Sequence, residues 1–161
     1  MELNTSKEQI INTSAIKIKK RDGRSEPLDI DKIHFVVEEA CEGLSGVSSS
    51  QIEINANIQF YDGMTTKEVQ QILVRSANDL ISLETPNYQY AAARLLSYDV
   101  RKEAHGQYEY MPLLKLIIRN IKAGVYDKGI VEKFSKTDIK KMNTWIKRER
   151  DLDFTYAGLR Q

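Results

Sequence analysis

The chain has 161 residues, and its 24 basic and 23 acidic residues leave a formal net charge of +1 at pH 7. This balance does not indicate a nucleic-acid partner, and no apolar run approaches the roughly 18 residues of a membrane span. The single cysteine, Cys41, excludes an internal disulfide and a multi-cysteine zinc site. We therefore expect a cytoplasmic protein of one domain, or one domain and a fragment, with neither a nucleic-acid nor a membrane partner.

The first predicted element is a β-hairpin. Residues 1–15 are mostly polar without sustained periodicity, so we expect them to form a flexible tail. Apolar and basic residues alternate from Ile16 to Lys19, and Asp22 and Gly23 are residue types that a tight turn needs at positive φ. Ser25 to Leu28 is then the partner strand.

The return strand leads directly into a predicted helix. Asp29 is a suitable N-cap, and Asp31 in the first turn complements the helix dipole. Lys20 and Lys32 flank this helix N-terminus, where free N–H groups already favour an anion, so the segment suits a phosphate group. The alternative is that both are ordinary exposed lysines.

The next two helices are indicated by periodicity. Apolar residues recur at helical spacing over residues 31–44. Over 51–61 the apolar residues alternate as in a half-buried strand, whereas Ser48 and Gln51 have the spacing of a capping box. We favour a helix for this second segment.

Two further helices complete the predicted unit. Thr65 and Glu68 form a capping box before an amphipathic run. Thr85-Pro86 is a cap followed by proline at the first helical position, and the helix that it begins ends at Gly106. Four helices and a hairpin therefore form one compact unit.

A helical pattern continues beyond Gly106. Pro112 begins a fifth helix that Gly124 ends, and a short helix is predicted over 129–134. Ser135 caps another helix. Its inward residues are expected to be Ile139, Met142 and Ile146, with Trp145 at the edge.

The last ten residues, Leu152 to Gln161, open a helical pattern without a terminating signal. We therefore expect the final helix to be incomplete at Gln161.

Four blocks of the sequence carry a family resemblance. They are KKRDGRSEPLDIDKI at 19–33, IQFYDGMTT at 58–66, PNYQYAAARLL at 86–96 and VRKEAHGQY at 100–108. In this order they resemble the ATP-cone, the regulatory domain at the N-terminus of the class I ribonucleoside-diphosphate reductase large subunit, in its aerobic bacterial and phage-type enzymes. The resemblance implies that residues 16–107 form the cone and that residues 108–161 begin the helical region leading to the catalytic barrel.

The resemblance also implies a fold. It is mainly α, with a four-helix bundle capped by a small three-stranded sheet and followed by further helices. It assigns 51–61 to a helix and adds a brief third strand near Gly63 to Thr65.

By resemblance, the nucleotide contacts are Lys20, Glu26, Pro27, Leu28, Asp29, Ile30, Asp31, Lys32, Ile33, Thr66 and Lys102. Lys20 is expected to reach the phosphates, Glu26 to accept from an adenine amino group, and Ile33 to pack against the base. The backbone that follows Glu26 wraps the ligand. Thr66 lies at another helix N-terminus, and Lys102 adds a third positive charge. Without the resemblance, Lys102 would be read as a cation favoured at a helix C-terminus.

The implied ligand is ATP or dATP, an allosteric effector with Mg²⁺ carried by the nucleotide. In the family, ATP permits activity and dATP favours an inhibited assembly. The implied partners are the remainder of the large subunit, the radical-generating small subunit and further copies of the enzyme. The family's reaction needs a barrel and paired cysteines that this sequence does not contain, so no catalytic residue is predicted. Cys41 is expected to be structural, and no metal site is indicated.

Two positions depart from close relatives, which often carry histidine at both. Gln70 lies on the third helix and Asp99 on the fourth, both near the expected site. An aspartate repels a triphosphate, so this cone is expected to bind weakly, prefer another nucleotide, or need a bridging magnesium ion.

Two alternatives to a regulatory N-terminal fragment follow. In the first alternative, the chain is one piece of a split reductase that becomes active on reassembly. The unfinished end at Gln161 motivates this hypothesis. Alternatively, it is a nucleotide-responsive transcription repressor, since ATP-cones also occur there; the missing zinc ribbon and the helices after the cone argue against that reading.

Overall fold

The computed structural model describes residues 16–161, so the predicted tail at 1–15 lies outside the described residues. The chain is mainly helical and carries a small antiparallel sheet, as predicted. Its elements are β1 (Lys17–Lys19), β2 (Ser25–Pro27), α1 (Ile30–Cys41), α2 (Ser49–Asn57), α3 (Thr66–Asn78), α4 (Tyr88–His105), α5 (Leu113–Lys122), α6 (Gly129–Lys133), α7 (Lys136–Asn143), a 3-10 helix (Arg148–Asp153) and α8 (Tyr156–Arg160). No helix among these is both long and apolar enough to cross a bilayer.

The hairpin of β1 and β2 closes through a three-residue loop. Lys20 N donates to Arg24 O at 2.8 Å, and Gly23 N donates to Lys20 O at 2.9 Å. Gly23 has φ 86°, but Asp22 does not have positive φ, so that part of the prediction is wrong. A three-residue loop needs a left-handed residue only at its last position. The Asp22 carboxylate instead accepts from the Arg24 backbone N–H at 3.1 Å.

The predicted third strand is a single bridge. Lys19 pairs in parallel with Thr65, Lys19 N donates to Met64 O at 2.8 Å, and Gly63 N donates to Lys17 O at 2.8 Å. Among the described residues, the sheet therefore has two strands rather than three, with this segment bonded to its edge. The segment is too short for a strand because α3 begins at the next residue, Thr66.

Helices α1 to α4 enclose one hydrophobic core. Helix α3 packs along α4, while α1 contacts α4 and α2, and α2 contacts α3. The fully buried side chains include Val37, Ala40, Ile52, Ala56, Leu73, Ala77, Ala91 and Leu95. Alanines at several of these positions allow the helices to pack closely, and Ile18 of β1 and Leu28, the residue after β2, pack against the same core.

The segment predicted at 51–61 is helical up to Asn57, where α2 ends, whereas residues 58–61 lie outside a helix and lead into the turn at Asp62 and Gly63. Ser48 caps α2 and accepts from Gln51 N, but the Gln51 side chain does not complete a capping box. Its amide oxygen accepts instead from the buried Tyr88 hydroxyl at 2.8 Å, while the Ser48 N–H donates to the same hydroxyl. The tertiary contact with Tyr88 of α4 therefore engages the Gln51 side chain that a capping box would use.

The Thr65–Glu68 capping box of α3 is confirmed. Glu68 N donates to Thr65 Oγ1 at 3.2 Å, and Thr65 N donates to Glu68 Oε2 at 2.7 Å. The predicted Thr85 cap of α4 is wrong: α4 begins at Tyr88, and the Thr85 hydroxyl donates to the Leu80 carbonyl. Thr85 therefore closes the loop between the helices.

The region after α4 agrees with the prediction at its helix ends. Pro112 precedes α5, Gly124 follows it with φ 71°, and Ser135 caps α7. Ile139 is buried as expected. Ile146 is 49% exposed, so its predicted inward position is wrong, because α7 ends three residues before it.

His34 joins α1 to α2. Its Nδ1 lies 2.9 Å from Glu53 Oε1, and its Nε2 lies 3.2 Å from Glu38 Oε1. The hydrogen bond to Glu53, with its charge and that of Glu38, raises the pKa of the exposed imidazole above 6.5. A raised folded-state pKa means that the protonated ring stabilises the fold fully below 6.5 and loses that contribution as pH rises through the folded pKa.

We predict that Glu53→Gln lowers the pKa of His34, because the neutral amide removes the main charge beside the ring. An NMR titration of the imidazole resonances measures this change. Glu132→Gln, an exposed change on α6, is the control and should leave the titration unaltered. A His34 pKa that does not move in Glu53→Gln would contradict the pairing.

We predict that Thr65→Ala destabilises the fold by about 1 kcal/mol, because it removes the N-cap of α3. Urea unfolding measures the loss. Thr137→Ala, an exposed change in the first turn of α7, should stay within about 0.5 kcal/mol of the parent chain. Equal losses in both variants would show that the capping box is not what stabilises this end of α3.

Candidate functional site

A cavity of about 130 Å³ lies where the hairpin meets the starts of α1 and α3 and the end of α4. Seven of the predicted site residues line it: Lys20, Glu26, Leu28, Asp29, Lys32, Thr66 and Lys102. They come from the hairpin, the loop and helix that follow it, and two later helices. The fold thus brings together residues that are up to 82 positions apart in the sequence.

Four predicted residues do not line this cavity. Pro27 is exposed on β2, Ile30 is partly buried in the first turn of α1, and Ile33 belongs to the hydrophobic core at 7% exposure. Asp31 lines an adjoining groove of about 490 Å³ together with Phe35. The Ile33 side chain packs in the hydrophobic core and does not form part of the cavity wall.

Two of the cavity lysines are paired with carboxylates. Lys20 Nζ lies 2.7 Å from Glu26 Oε1, and Lys32 Nζ lies 2.9 Å from Asp29 Oδ2. Asp29 also caps α1, since Lys32 N donates to its Oδ1 at 3.1 Å. The Lys32 side-chain and backbone hydrogen bonds lower the pKa of Asp29. The Asp29–Lys32 pair stabilises the start of α1. In both pairs an anionic ligand could replace the carboxylate as the partner of the lysine.

Lys102 has a different environment. The side chain is partly buried, and burial lowers its pKa; the positive charges of Arg21 and Lys20 lower it further, against an opposing effect of Asp99. Within residues 16–161, no carboxylate lies within 4 Å of Lys102 Nζ. This end of α4 therefore carries positive charge that an anion would stabilise.

Arg21 lies beside the cavity, in a groove that adjoins it, and was not among the predicted residues. Its Nη1 donates to the Lys102 carbonyl at 3.2 Å, which brings its charge to the end of α4. Arg21 also lines a groove of about 520 Å³ with Lys19, Lys20 and Thr66. The signal in the sequence was the run of three basic residues at 19–21, whose last member lies in the turn.

The two departures from the family pattern occupy different places. Gln70 lines the cavity, is 6% exposed, and donates from Nε2 to the Leu95 carbonyl at 2.8 Å. Asp99 lies in another groove, between α3, α4 and α8, beside Lys67 and Arg160. Asp99 thus lies off the cavity wall, and its charge opposes the lowering of the Lys102 pKa.

The arrangement suits a polyanion that also has an apolar part. The N-termini of α1 and α3 both face the cavity, lysines stand around it, and Ile18, Leu28 and Leu73 contribute apolar surface. Ligand pockets usually measure roughly 300–1,000 Å³, so the cavity alone is small. The adjoining grooves share Lys20, Thr66, Lys32 and Lys102 with it and extend the available space.

We predict that Arg21→Ala raises the pKa of Lys102 towards its ordinary value, because it removes one of the charges that lower it. NMR titration of the lysine side chains checks this. Arg24→Ala removes an exposed arginine paired with Asp22 and serves as the charge-matched control. A Lys102 pKa that is equally unaffected in both variants would contradict the electrostatic coupling.

Comparison with known proteins identifies the region that contains the cavity. Residues 16–103 match the family described as ATP cone domain. The chain is 41% identical over 147 residues to the ribonucleoside-diphosphate reductase 1 subunit alpha of Salmonella typhimurium, covering 91% of this chain and 19% of that protein.

Two further relatives agree. Identity is 42% over 144 residues to the ribonucleoside-diphosphate reductase 1 subunit alpha of Escherichia coli, covering 89% of this chain and 19% of that protein. It is 41% over 145 residues to the ribonucleoside-diphosphate reductase subunit alpha of Helicobacter pylori, covering 90% of this chain and 18% of that protein. The chain spans about a fifth of the length of these relatives.

Proposed function

The chain belongs to the ATP-cone family, and we propose that its cavity binds ATP or dATP as an allosteric effector. It is a regulatory domain that matches the N-terminal region of ribonucleoside-diphosphate reductase alpha subunits. The observation that carries the proposal is the convergence of Lys20, Thr66 and Lys102 from three separate elements on one cavity.

The phosphates are proposed to lie between the hairpin and the ends of α3 and α4. Lys102 supplies positive charge that has no carboxylate within 4 Å in the described chain, and Lys20 can exchange Glu26 for phosphate. Thr66, in the first turn of α3, adds a hydroxyl and a free backbone N–H. Arg21, bonded to the end of α4, extends the positive surface.

The adenine is proposed to lie towards Glu26 and the start of α1. When Lys20 turns to the phosphates, the Glu26 carboxylate becomes free to accept a hydrogen bond from the adenine amino group. Leu28 and Val36 supply apolar surface for the ring. The backbone from Pro27 to Asp31 surrounds the same end of the ligand.

Mg²⁺ is proposed to arrive on the nucleotide and to neutralise part of the phosphate charge. No group of three His, Cys, Asp or Glu side chains in residues 16–161 is arranged to hold a metal ion. The groups that we assign to the phosphates, Lys20 and Lys102, are cations, which bind phosphate oxygens.

Regulation requires a difference in affinity between two states. We propose that ATP and dATP act through unequal binding to an active and an inhibited assembly, since an effector shifts an equilibrium only by its differential affinity. The proposed partners are the remainder of a reductase large subunit, the radical-generating small subunit and further copies of the enzyme. Exposed apolar side chains after the cone, including Val125 and Trp145, support contacts with further protein.

We propose a cytoplasmic location. It is supported by the cysteine usage of the sequence, whose one cysteine, Cys41, cannot form an internal disulfide.

We predict that Lys102→Ala and Lys20→Ala each weaken ATP binding by about 1–3 kcal/mol, or roughly 5- to 150-fold in Kd, because each removes a charge-assisted phosphate contact. Calorimetric titration with ATP and with dATP, each with Mg²⁺, measures the affinities. Lys140→Ala, an exposed lysine on α7, is the charge-matched control and should bind as the parent chain does.

Two results would contradict the proposal. Absence of saturable binding at millimolar nucleotide would remove the effector role of this chain. Equal weakening in all three lysine variants would mean that binding follows net charge and not the cavity.

A further inference from the structure

A cluster of aromatic and basic side chains lies beside the candidate site and joins α4 to the 3-10 helix. We call it the tyrosine–arginine cluster; its members are Tyr98, Arg101, Tyr108, Tyr110 and Arg148. The Arg101 guanidinium carbon lies 5.0 Å from the Tyr98 ring centroid, 5.3 Å from that of Tyr108 and 4.3 Å from that of Tyr110. Arg101 is thus surrounded by three rings.

The rings are the main contacts of the Arg101 guanidinium. Its Nε is buried and has no hydrogen-bond partner among residues 16–161, and no carboxylate in the same range lies within ion-pair distance. The attraction of a cation to a ring depends on its position over the ring face, so a movement of one ring changes the interactions of Arg101.

One end of the cluster reaches the candidate nucleotide site. Lys102 Nζ lies 5.8 Å from the Tyr108 ring centroid. The Tyr108 hydroxyl donates to Glu39 on α1, and its ring packs on that of Tyr98 at a centroid distance of 5.2 Å. Tyr108 therefore touches both the lysine of the cavity and the guanidinium of the cluster.

The other end reaches the 3-10 helix at Arg148–Asp153. The Tyr110 ring has the Arg101 guanidinium carbon 4.3 Å and the Arg148 guanidinium carbon 4.4 Å from its centroid. The Tyr110 hydroxyl donates to Asp151. A cavity of about 260 Å³ is lined by both Tyr110 and Arg148.

We propose that the tyrosine–arginine cluster transmits nucleotide occupancy of the cone to the 3-10 helix. The inference rests on the proposed function. A triphosphate that draws the Lys102 ammonium away from Tyr108 alters the ring contacts of Arg101. Tyr110 and its bonds to the 3-10 helix then change with it. Because binding linkage is reciprocal, the conformation of residues 148–153 also changes nucleotide affinity.

Spatial continuity alone does not establish coupling, so the test measures both ends. Hydrogen exchange of the 148–153 amides is recorded with and without saturating ATP and Mg²⁺, and calorimetry on the same samples measures binding. Fluorescence of Trp145, the single tryptophan of the sequence, gives a second signal three residues before Arg148. In the parent chain we expect ATP to change the exchange rates by at least about fivefold, the low end of ordinary allosteric coupling.

The cluster is interrupted by Tyr110→Ala, which removes the ring between the two guanidinium groups. We expect ATP still to bind while exchange at 148–153 no longer responds to it. Arg148→Ala is a second variant with the same expected result, and it changes only a partly exposed side chain of the 3-10 helix. Tyr126→Ala, outside the cluster and 39% exposed, is the control and should respond as the parent chain does.

The outcomes separate the two proposals. Absence of ATP binding to the parent chain would overturn the nucleotide role of the cavity and the coupling that depends on it. Binding without an exchange response at 148–153 would overturn the coupling alone. An unchanged response in folded Arg148→Ala and Tyr110→Ala would show that the cluster is not the route.

Discussion

The backbone hydrogen bonds between β1 and the Gly63–Thr65 segment position the candidate site. They are few, with Lys19 N donating to Met64 O and Gly63 N donating to Lys17 O. They nevertheless attach the hairpin to the start of α3, because α3 begins at Thr66, immediately after the bridged residue. Lys20 and Thr66, which are 46 positions apart, therefore line one cavity. The Thr65–Glu68 capping box stabilises the N-terminus of α3 at this position.

The charges of the site have two distinct arrangements. Lys20 and Lys32 are held by carboxylates, so their positive charge is balanced until a stronger anion competes for them. Lys102 is partly buried near Arg21, and both burial and this neighbour lower its pKa. A triphosphate would thus replace Glu26 and Asp29 as the partners of Lys20 and Lys32. Its negative charge would also reduce the repulsion between Lys102 and Arg21 at the end of α4. This local imbalance explains why a net charge of +1 gives no indication of the site.

Local signals in the sequence predicted much of the fold. The caps at Asp29, Thr65 and Ser135 are confirmed because each side chain bonds to a backbone group three residues away, within its own helix. The predictions for Thr85 and Ile146 were wrong because tertiary contacts and helix length decided them.

Local sequence patterns predicted only part of the candidate site. The segment from Lys20 to Lys32 was recognisable as a phosphate-binding candidate by its helix start and lysines. Lys102 was assigned by family resemblance, since its position at a helix C-terminus has an ordinary explanation. Arg21, whose guanidinium bonds to the end of α4, was not among the predicted residues, and Ile33, predicted to pack against the base, lies in the hydrophobic core. Distances across the fold decide these cases, and no spacing rule in the sequence contains them.

The most direct test of the central claim is to locate the nucleotide on the chain. Backbone amide chemical shifts are assigned and then followed by NMR during titration with ATP and Mg²⁺. We predict that the largest changes occur at Lys20, Glu26–Lys32, Thr66 and Lys102, around the cavity between the hairpin and the helix ends. Largest changes in the groove of Asp99 and Arg160, with none around the cavity, would contradict it.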